Sequence, residues 1–134
     1  MDSKKLVSEA IEAMKKSYSP YSNFKVGATL LSSDGEIYTG CNIENASYTP
    51  TVCAERVAFF KALSEGKKQF AAIAVVGGVD GKLSSFTYPC GVCRQVMREF
   101  CSDDFRIILY NGESVRETTL GEILPCSFGP DNLV

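Results

Sequence analysis

Two short segments hold the residue types that could run metal chemistry. Cys90-Gly91-Val92-Cys93 is a C-x-x-C at the start of a predicted helix, and Cys53-Ala54-Glu55 opens another. Alone, the C-x-x-C reads as a redox dithiol, as half of a zinc site or as coincidence. Cys53 adds a third thiol, so that three thiolates from two helix N-termini could converge on one ion. The partial positive charge of a helix N-terminus lowers thiol pKa and favours the deprotonated form that binds metal. Three protein ligands on Zn²⁺ leave a fourth tetrahedral position for water, which separates a catalytic zinc from a closed structural one. Glu55, two residues from a candidate ligand, is placed to take a proton from that water and pass it on.

The chain contains no histidine. That removes Ser-His-Asp triads, Cys-His pairs and every zinc site needing imidazole, and leaves acid-base work to a carboxylate, Lys, Tyr or water. Six cysteines could form a disulfide framework, but such frameworks suit short, secreted, loop-rich chains. A competing reading of the thiols is a closed four-thiolate site without catalysis, with Cys41, Cys101 or Cys126 as fourth ligand and Cys41, beside Asn42, foremost. With 14 Lys and Arg against 16 Asp and Glu, the net charge of −2 lacks the basic footprint of a nucleic-acid binder and suits a small substrate. No apolar run approaches the roughly 20 residues that span a bilayer, and the N-terminus has no signal-peptide core. The expectation is a cytoplasmic protein with neither nucleic acid nor membrane as partner.

The elements that must position these residues follow from periodicity. Leu6, Val7, Ala10, Ile11 and Met14 recur at helical spacing across residues 3–16. SYSPYSN (17–23) is turn chemistry, and Asp34-Gly35 joins a strand at 25–31 to a second at 36–42. Thr49-Pro50-Thr51 resembles a helix start, with residues 52–64 continuing it to Gly66. A buried strand at 71–76, a helix from Pro89 through Cys101 and a strand at 105–110 come next. A turn at Asn111-Gly112, a short strand at 115–118 and a capping-box spacing at Thr119-x-x-Glu122 end the pattern. This order predicts one domain over residues 1–134, an α/β three-layer α/β/α sandwich around a single mixed five-stranded sheet.

Cys53-Ala54-Glu55 followed by Pro89-Cys90-Gly91-Val92-Cys93-Arg94-Gln95 resembles the two metal-binding segments of the short, homotetrameric cytidine deaminases. The likeness extends to residues 18–28 (YSPYSNFKVGA) and 40–46 (GCNIENA), and so covers nearly the whole chain in order. An all-cysteine ligand set with a glutamate that is not a ligand is one arrangement used by zinc deaminases. The resemblance implies one Zn²⁺ per subunit on Cys53, Cys90 and Cys93, with Glu55 as the catalytic acid-base group. It further implies that Asn42 and Glu44 hold the ribose, that Phe24 packs against the nucleoside and that the Ala54 amide meets the pyrimidine carbonyl. Phe128 would complete the pocket of a neighbouring subunit in a homotetramer.

The implied activity is zinc-dependent hydrolysis of the exocyclic amine of cytidine and deoxycytidine. Rivals are a deaminase of another aminopyrimidine nucleoside such as blasticidin S, a deaminase acting on polynucleotides, and a non-catalytic zinc module. Arg56 lies three residues after Cys53 and so shares its helix face, where it could donate to the ligand sulfurs and balance their charge. Loss of that cation is expected to raise the pKa of the metal-bound water and to weaken activity most at lower pH. Arg94 and Gln95 are expected to make structural hydrogen bonds.

Overall fold

In the computed structural model, residues 2–134 are described, so of the expected domain over residues 1–134 only Met1 lies outside them. Helix α1 (Ser3–Met14) begins where the Asp2 side chain accepts from the Lys5 amide at 2.9 Å. It ends two residues before the predicted limit, because Lys16 and Ser17 turn back onto the Ala13 and Met14 carbonyls. Strand β1 (Phe24–Ser32) then pairs antiparallel with β2 (Ile37–Cys41) through the Asp34-Gly35 turn, where Gly35 takes φ +95°.

The second helix starts later than Thr49-Pro50-Thr51 suggests. Val52 is in an antiparallel bridge with Ile43, and Thr51 Oγ1 accepts from the Asn45 amide, so these residues are held extended. Helix α2 (Ala54–Ser64) therefore begins with Cys53 as its cap, and Gly66 beyond its end adopts φ +88°. Strand β3 (Phe70–Val79) outruns its apolar stretch, since Gly77 and Gly78 continue the pairing with Val26 and Lys25 of β1. A Cβ at Gly78 would collide with the Lys82 carbonyl, so glycine there lets the following loop fold onto the strand. Helix α3 (Gly91–Phe100), strands β4 (Arg106–Tyr110) and β5 (Val115–Thr119) and the short helix α4 (Leu120–Ile123) complete the core. A 3₁₀ turn, Pro130–Leu133, lies in the C-terminal arm.

The sheet order is β2-β1-β3-β4-β5, antiparallel except for the β3–β4 pair that α3 joins as a crossover. Alternation along the strands supplies two cores. Ala72, Ala74, Val76 and Ile108 pack with Leu6, Val7, Ala10 and Met14 of α1 on one face. Ile73, Val75, Ile107 and Leu109 pack with Ala58, Phe59, Cys93 and Met97 of α2 and α3 on the other. The result is the expected α/β/α sandwich.

Both helix layers approach the sheet at glycines. A Cβ on Gly40 of β2 would collide with the Ala54 carbonyl and lie 2.7 Å from the Ala58 nitrogen, so α2 lies directly on the strand. Lys61 reaches from α2 to donate to the Thr39 carbonyl of β2, the strand that ends the sheet. No helix among the described residues is long and apolar enough to cross a membrane.

Candidate active site

The starts of α2 and α3 meet on one face of the sheet. Cys53 and Cys90 are the cap residues of the two helices, both in extended backbone (φ −77°, ψ 156° and φ −69°, ψ 169°), and neither side chain bonds a first-turn amide. Their thiols are free to turn toward each other. Cys53 Sγ is 3.6 Å from Cys90 Sγ, Cys90 Sγ is 3.6 Å from Cys93 Sγ, and all three lie within 4.8 Å of one another. A disulfide would bring two sulfurs to about 2.05 Å. Thiolates bound at about 2.3 Å to a tetrahedral Zn²⁺ stand about 3.8 Å apart, so the spacing fits a metal triad.

Charge within the cluster points the same way. The Cys53 thiol is pulled down to about 5, chiefly by the neighbouring Cys93 thiol and also by Arg56. Cys93 is pushed upward in return, first by Cys53 and then by burial. One thiolate is thus stabilised at its neighbour's expense, and a divalent cation among the sulfurs would let all three ionise. The other cysteines stay apart. Cys41 pairs with Gly27 in the sheet, Cys101 caps the end of α3 with its thiol pushed up to about 12 by burial, and Cys126 is exposed. Among the described residues, only Cys53, Cys90 and Cys93 group closely enough to hold an ion, so Cys41, Cys101 and Cys126 lie outside the cluster.

Glu55 is 3% exposed, and its Oε1 is buried with no hydrogen-bond partner among the described residues. Burial pushes its carboxyl up to about 7, and the charge of nearby Cys53 adds to the rise. Helical i,i+2 spacing would send Glu55 and Cys53 to different flanks. The extended conformation at Cys53 releases it from that rule, and both groups gather at the helix end. A buried carboxyl with an unsatisfied oxygen is costly in a purely structural role. Arg56 Nη2 donates to Cys53 Sγ at 3.4 Å, while Arg56 Nε is buried without a partner.

Ala54, fully buried, is the first residue of α2. Cys53 forms no side-chain cap, and the Ala54 amide at the helix start suits an acceptor outside the helix. On the neighbouring loop, Asn42 and Glu44 are already engaged. Asn42 Oδ1 accepts from Ser17 Oγ (2.5 Å) and the Val26 amide (2.9 Å), and Nδ2 donates to the Phe24 carbonyl (2.8 Å). One Nδ2–H is left for a ligand. Glu44 Oε1 accepts from the Tyr21 (2.9 Å) and Ser22 (3.2 Å) amides, and Oε2 from Ser22 Oγ (2.5 Å). Those bonds, that of Ser22 foremost, hold its carboxyl below the usual range.

Sequence reasoning did not find Ser17 and Ser22 as the anchors of this loop, and only the polar density of SYSPYSN hinted at them. Phe24 is half-buried at the start of β1, and a Cβ on Gly77 would come within 3.2 Å of its ring. Beside Glu44 lies a recess of ≈ 340 Å³ lined by Tyr21, Ser22, Asn45, Tyr48 and Thr51. Tyr48 adopts φ +65°, rare for an aromatic residue, and sets its ring edge-on to Tyr21. Phe128 is 60% exposed, and its carbonyl accepts from Gln95 Nε2 at 2.9 Å. Arg94 donates to the Pro89 and Ile123 carbonyls, both at 2.7 Å, so both side chains make the structural bonds expected.

Comparison with known proteins agrees with this geometry. Residues 1–109 match the family model for the cytidine and deoxycytidylate deaminase zinc-binding region. A cytidine deaminase of Sporosarcina psychrophila is 48% identical over 134 residues, covering 99% of this chain and 96% of that protein. One from Halalkalibacterium halodurans is 47% identical, covering 99% and 98%. The crystal structure of a cytidine deaminase from Burkholderia pseudomallei superposes with a TM-score of 0.88 at 46% identity, covering 96% of this chain and 100% of that one. By its fold, its sulfur triad and its full-length similarity, the chain belongs to the zinc-binding cytidine and deoxycytidylate deaminase family.

Proposed function

We propose that residues 1–134 act as one catalytic domain that hydrolyses the exocyclic amine of cytidine and deoxycytidine, yielding the uracil nucleoside and ammonia. Cys53, Cys90 and Cys93 would hold Zn²⁺, which would supply Lewis-acid activation of water. Glu55 Oε would carry both protons of that water in turn, the first to the pyrimidine ring nitrogen and the second, released by the hydroxyl added to the ring carbon, to the departing amine. The Ala54 amide orients the ring by donating to its carbonyl. Asn42, through its remaining Nδ2–H, and Glu44 hold the sugar hydroxyls, and Phe24 packs against the nucleoside. Arg56 steadies the charge on the ligand sulfurs.

The observation that carries this reading is the unpartnered, buried Glu55 Oε1 at the helix end that also presents Cys53. One of its two carboxyl oxygens is thus free to carry a proton. We place the protein in the cytoplasm, in pyrimidine salvage, as a homotetramer in which Phe128 closes a neighbour's pocket.

The test is to incubate zinc-loaded protein with cytidine and follow ultraviolet absorbance and released ammonia. Glu55→Gln should keep its zinc and lose turnover by about 10²–10⁴-fold. Free cytosine should react far more slowly than cytidine, because the sugar's binding energy positions the ring. A folded, zinc-loaded sample that makes no uridine would overturn the reading, and equal rates on base and nucleoside would remove the roles of Asn42 and Glu44.

A further inference from the structure

Beyond Leu124 the chain leaves the sheet as an arm in which Phe128 and Leu133 are 60% and 79% exposed and Val134 is fully exposed. Free in solution, such a segment would lose conformational entropy each time its aromatic ring docked. Side chains of α3 hold it instead. Arg98 Nε donates to Ser127 Oγ at 2.9 Å, and Arg98 Nη2 to Asp131 Oδ1 at 2.6 Å. Gln95 Nε2 donates to the Phe128 carbonyl at 2.9 Å.

The guanidinium also lies close against Gly129, where a Cβ would collide with its carbon and come within 2.8 Å of Nε. Gly129 is in extended backbone (φ −155°), so glycine here serves close approach and not unusual torsion. Within the arm, the Gly129 amide donates to Asn132 Oδ1 at 2.8 Å and closes the turn that carries Asp131. These contacts bracket Phe128 on both sides.

Gln95 and Arg98 are three apart on α3 and face the arm, while Cys93 and Met97, four apart, face the core. The Arg98 side chain is 18% exposed, and its planar fork reaches two acceptors in fixed directions, which an ammonium cannot copy. We propose that Arg98 is a positioning residue that sets where Phe128 stands, and so tunes nucleoside binding in the neighbouring pocket without touching substrate. This rests on the reading that Phe128 serves such a pocket.

Steady-state kinetics on cytidine with zinc-loaded full-length variants test the inference. Phe128→Ala should raise KM, and Arg98→Ala should raise it roughly fivefold with kcat and zinc content kept, an effect fitting a charge-assisted pair at a partly exposed site. Arg98→Lys should recover only part of the loss. The double variant should be no worse than Phe128→Ala, because Arg98 acts through that ring.

Unchanged KM in Arg98→Ala beside a raised KM in Phe128→Ala overturns the proposal, as do additive effects in the double variant. A lower kcat at parental KM, which reports a smaller active fraction, assigns Arg98 a merely structural role and also overturns it. Should Arg98→Ala fail to fold, Ser127→Ala/Asp131→Asn removes its acceptors from the exposed side. Raised KM there supports the clamp and parental KM refutes it. If Phe128→Ala itself leaves KM unchanged, the neighbour-pocket reading falls and the proposal falls with it.

Discussion

Arg56 Nη2 lies 3.4 Å from Cys53 Sγ, so a guanidinium in the first turn of α2 rests against the sulfur of the residue that precedes the same helix. Three thiolates on Zn²⁺ sum to a negative charge, and a cation touching one of them offsets it. Arg56→Ala should fold normally but release zinc to a colorimetric chelator about tenfold faster, the low end of what loss of a ligand-orienting group costs. Arg56→Lys should fall between the two. Parental release rates in both variants would show the contact to be incidental.

Cys53→Ala, Cys90→Ala and Cys93→Ala should each lose bound zinc, whereas Cys41→Ala should retain it, since Cys41 lies in the β1–β2 ladder. Cys53 and Cys90 are 37 residues apart in sequence, so folding alone brings them together and an ion bound there stabilises the folded chain over the unfolded one. Chelation of the parent should therefore lower its melting temperature. A zinc assay that finds equal loss in all four variants contradicts the assignment.

Gly40→Ala places a methyl group where the Ala54 carbonyl and the Ala58 nitrogen already stand. The start of α2 must move, at a cost of about 1–3 kcal/mol for overpacking, and the moved residues adjoin Cys53 and Glu55. Gly35→Ala is the control, because its site is open and only φ +95° opposes the substitution. Denaturant unfolding should show both variants weakened, with reduced zinc retention in Gly40→Ala alone. Equal zinc retention in the two would mean that α2 accommodates the methyl without disturbing the site.

The Asp34 carboxyl is held well below the usual carboxylate range, first by its hydrogen bond from Lys67 and then by Ser32. A carboxyl whose folded pKa lies below its unfolded value of about 3.9 adds stability that is complete above that value and is lost as pH falls toward the folded one. Asp34→Asn should thus melt below the parent at pH 7, by a small margin because water screens the pair. Melting curves taken downward from pH 5 should show the gap closing. A gap that widens in acid would contradict the assignment.

Much of the frame was legible before any coordinates. The 3.6-residue stripe from Leu6 to Met14 gives α1, Asp34-Gly35 gives the hairpin, and the thiol spacing with Glu55 marks the site. What escaped was set by contacts between distant segments. Thr49-Pro50-Thr51 has helix-start chemistry, yet the Ile43–Val52 bridge holds the segment extended and passes the cap to Cys53. The apolar pattern of β3 stops before Gly77, but pairing with β1 carries the strand to Val79. Ser17 on Asn42, Ser22 on Glu44 and Arg98 on the arm are long-range hydrogen bonds between residues that locally resemble ordinary surface. Periodicity reports which face is apolar, and it is silent on which polar groups meet.

The Lys61–Thr39 contact bears on how this protein tolerates crowding by its own kind. A sheet that stops at a bare strand offers its outer backbone as a template for another chain, the first step toward fibrous association. Here an ammonium from α2 occupies a carbonyl of that last strand, so a second strand approaching edge-on would have to displace a charge before it could bond. The β2 edge is thereby guarded by the same helix whose opposite end presents Cys53 and Glu55.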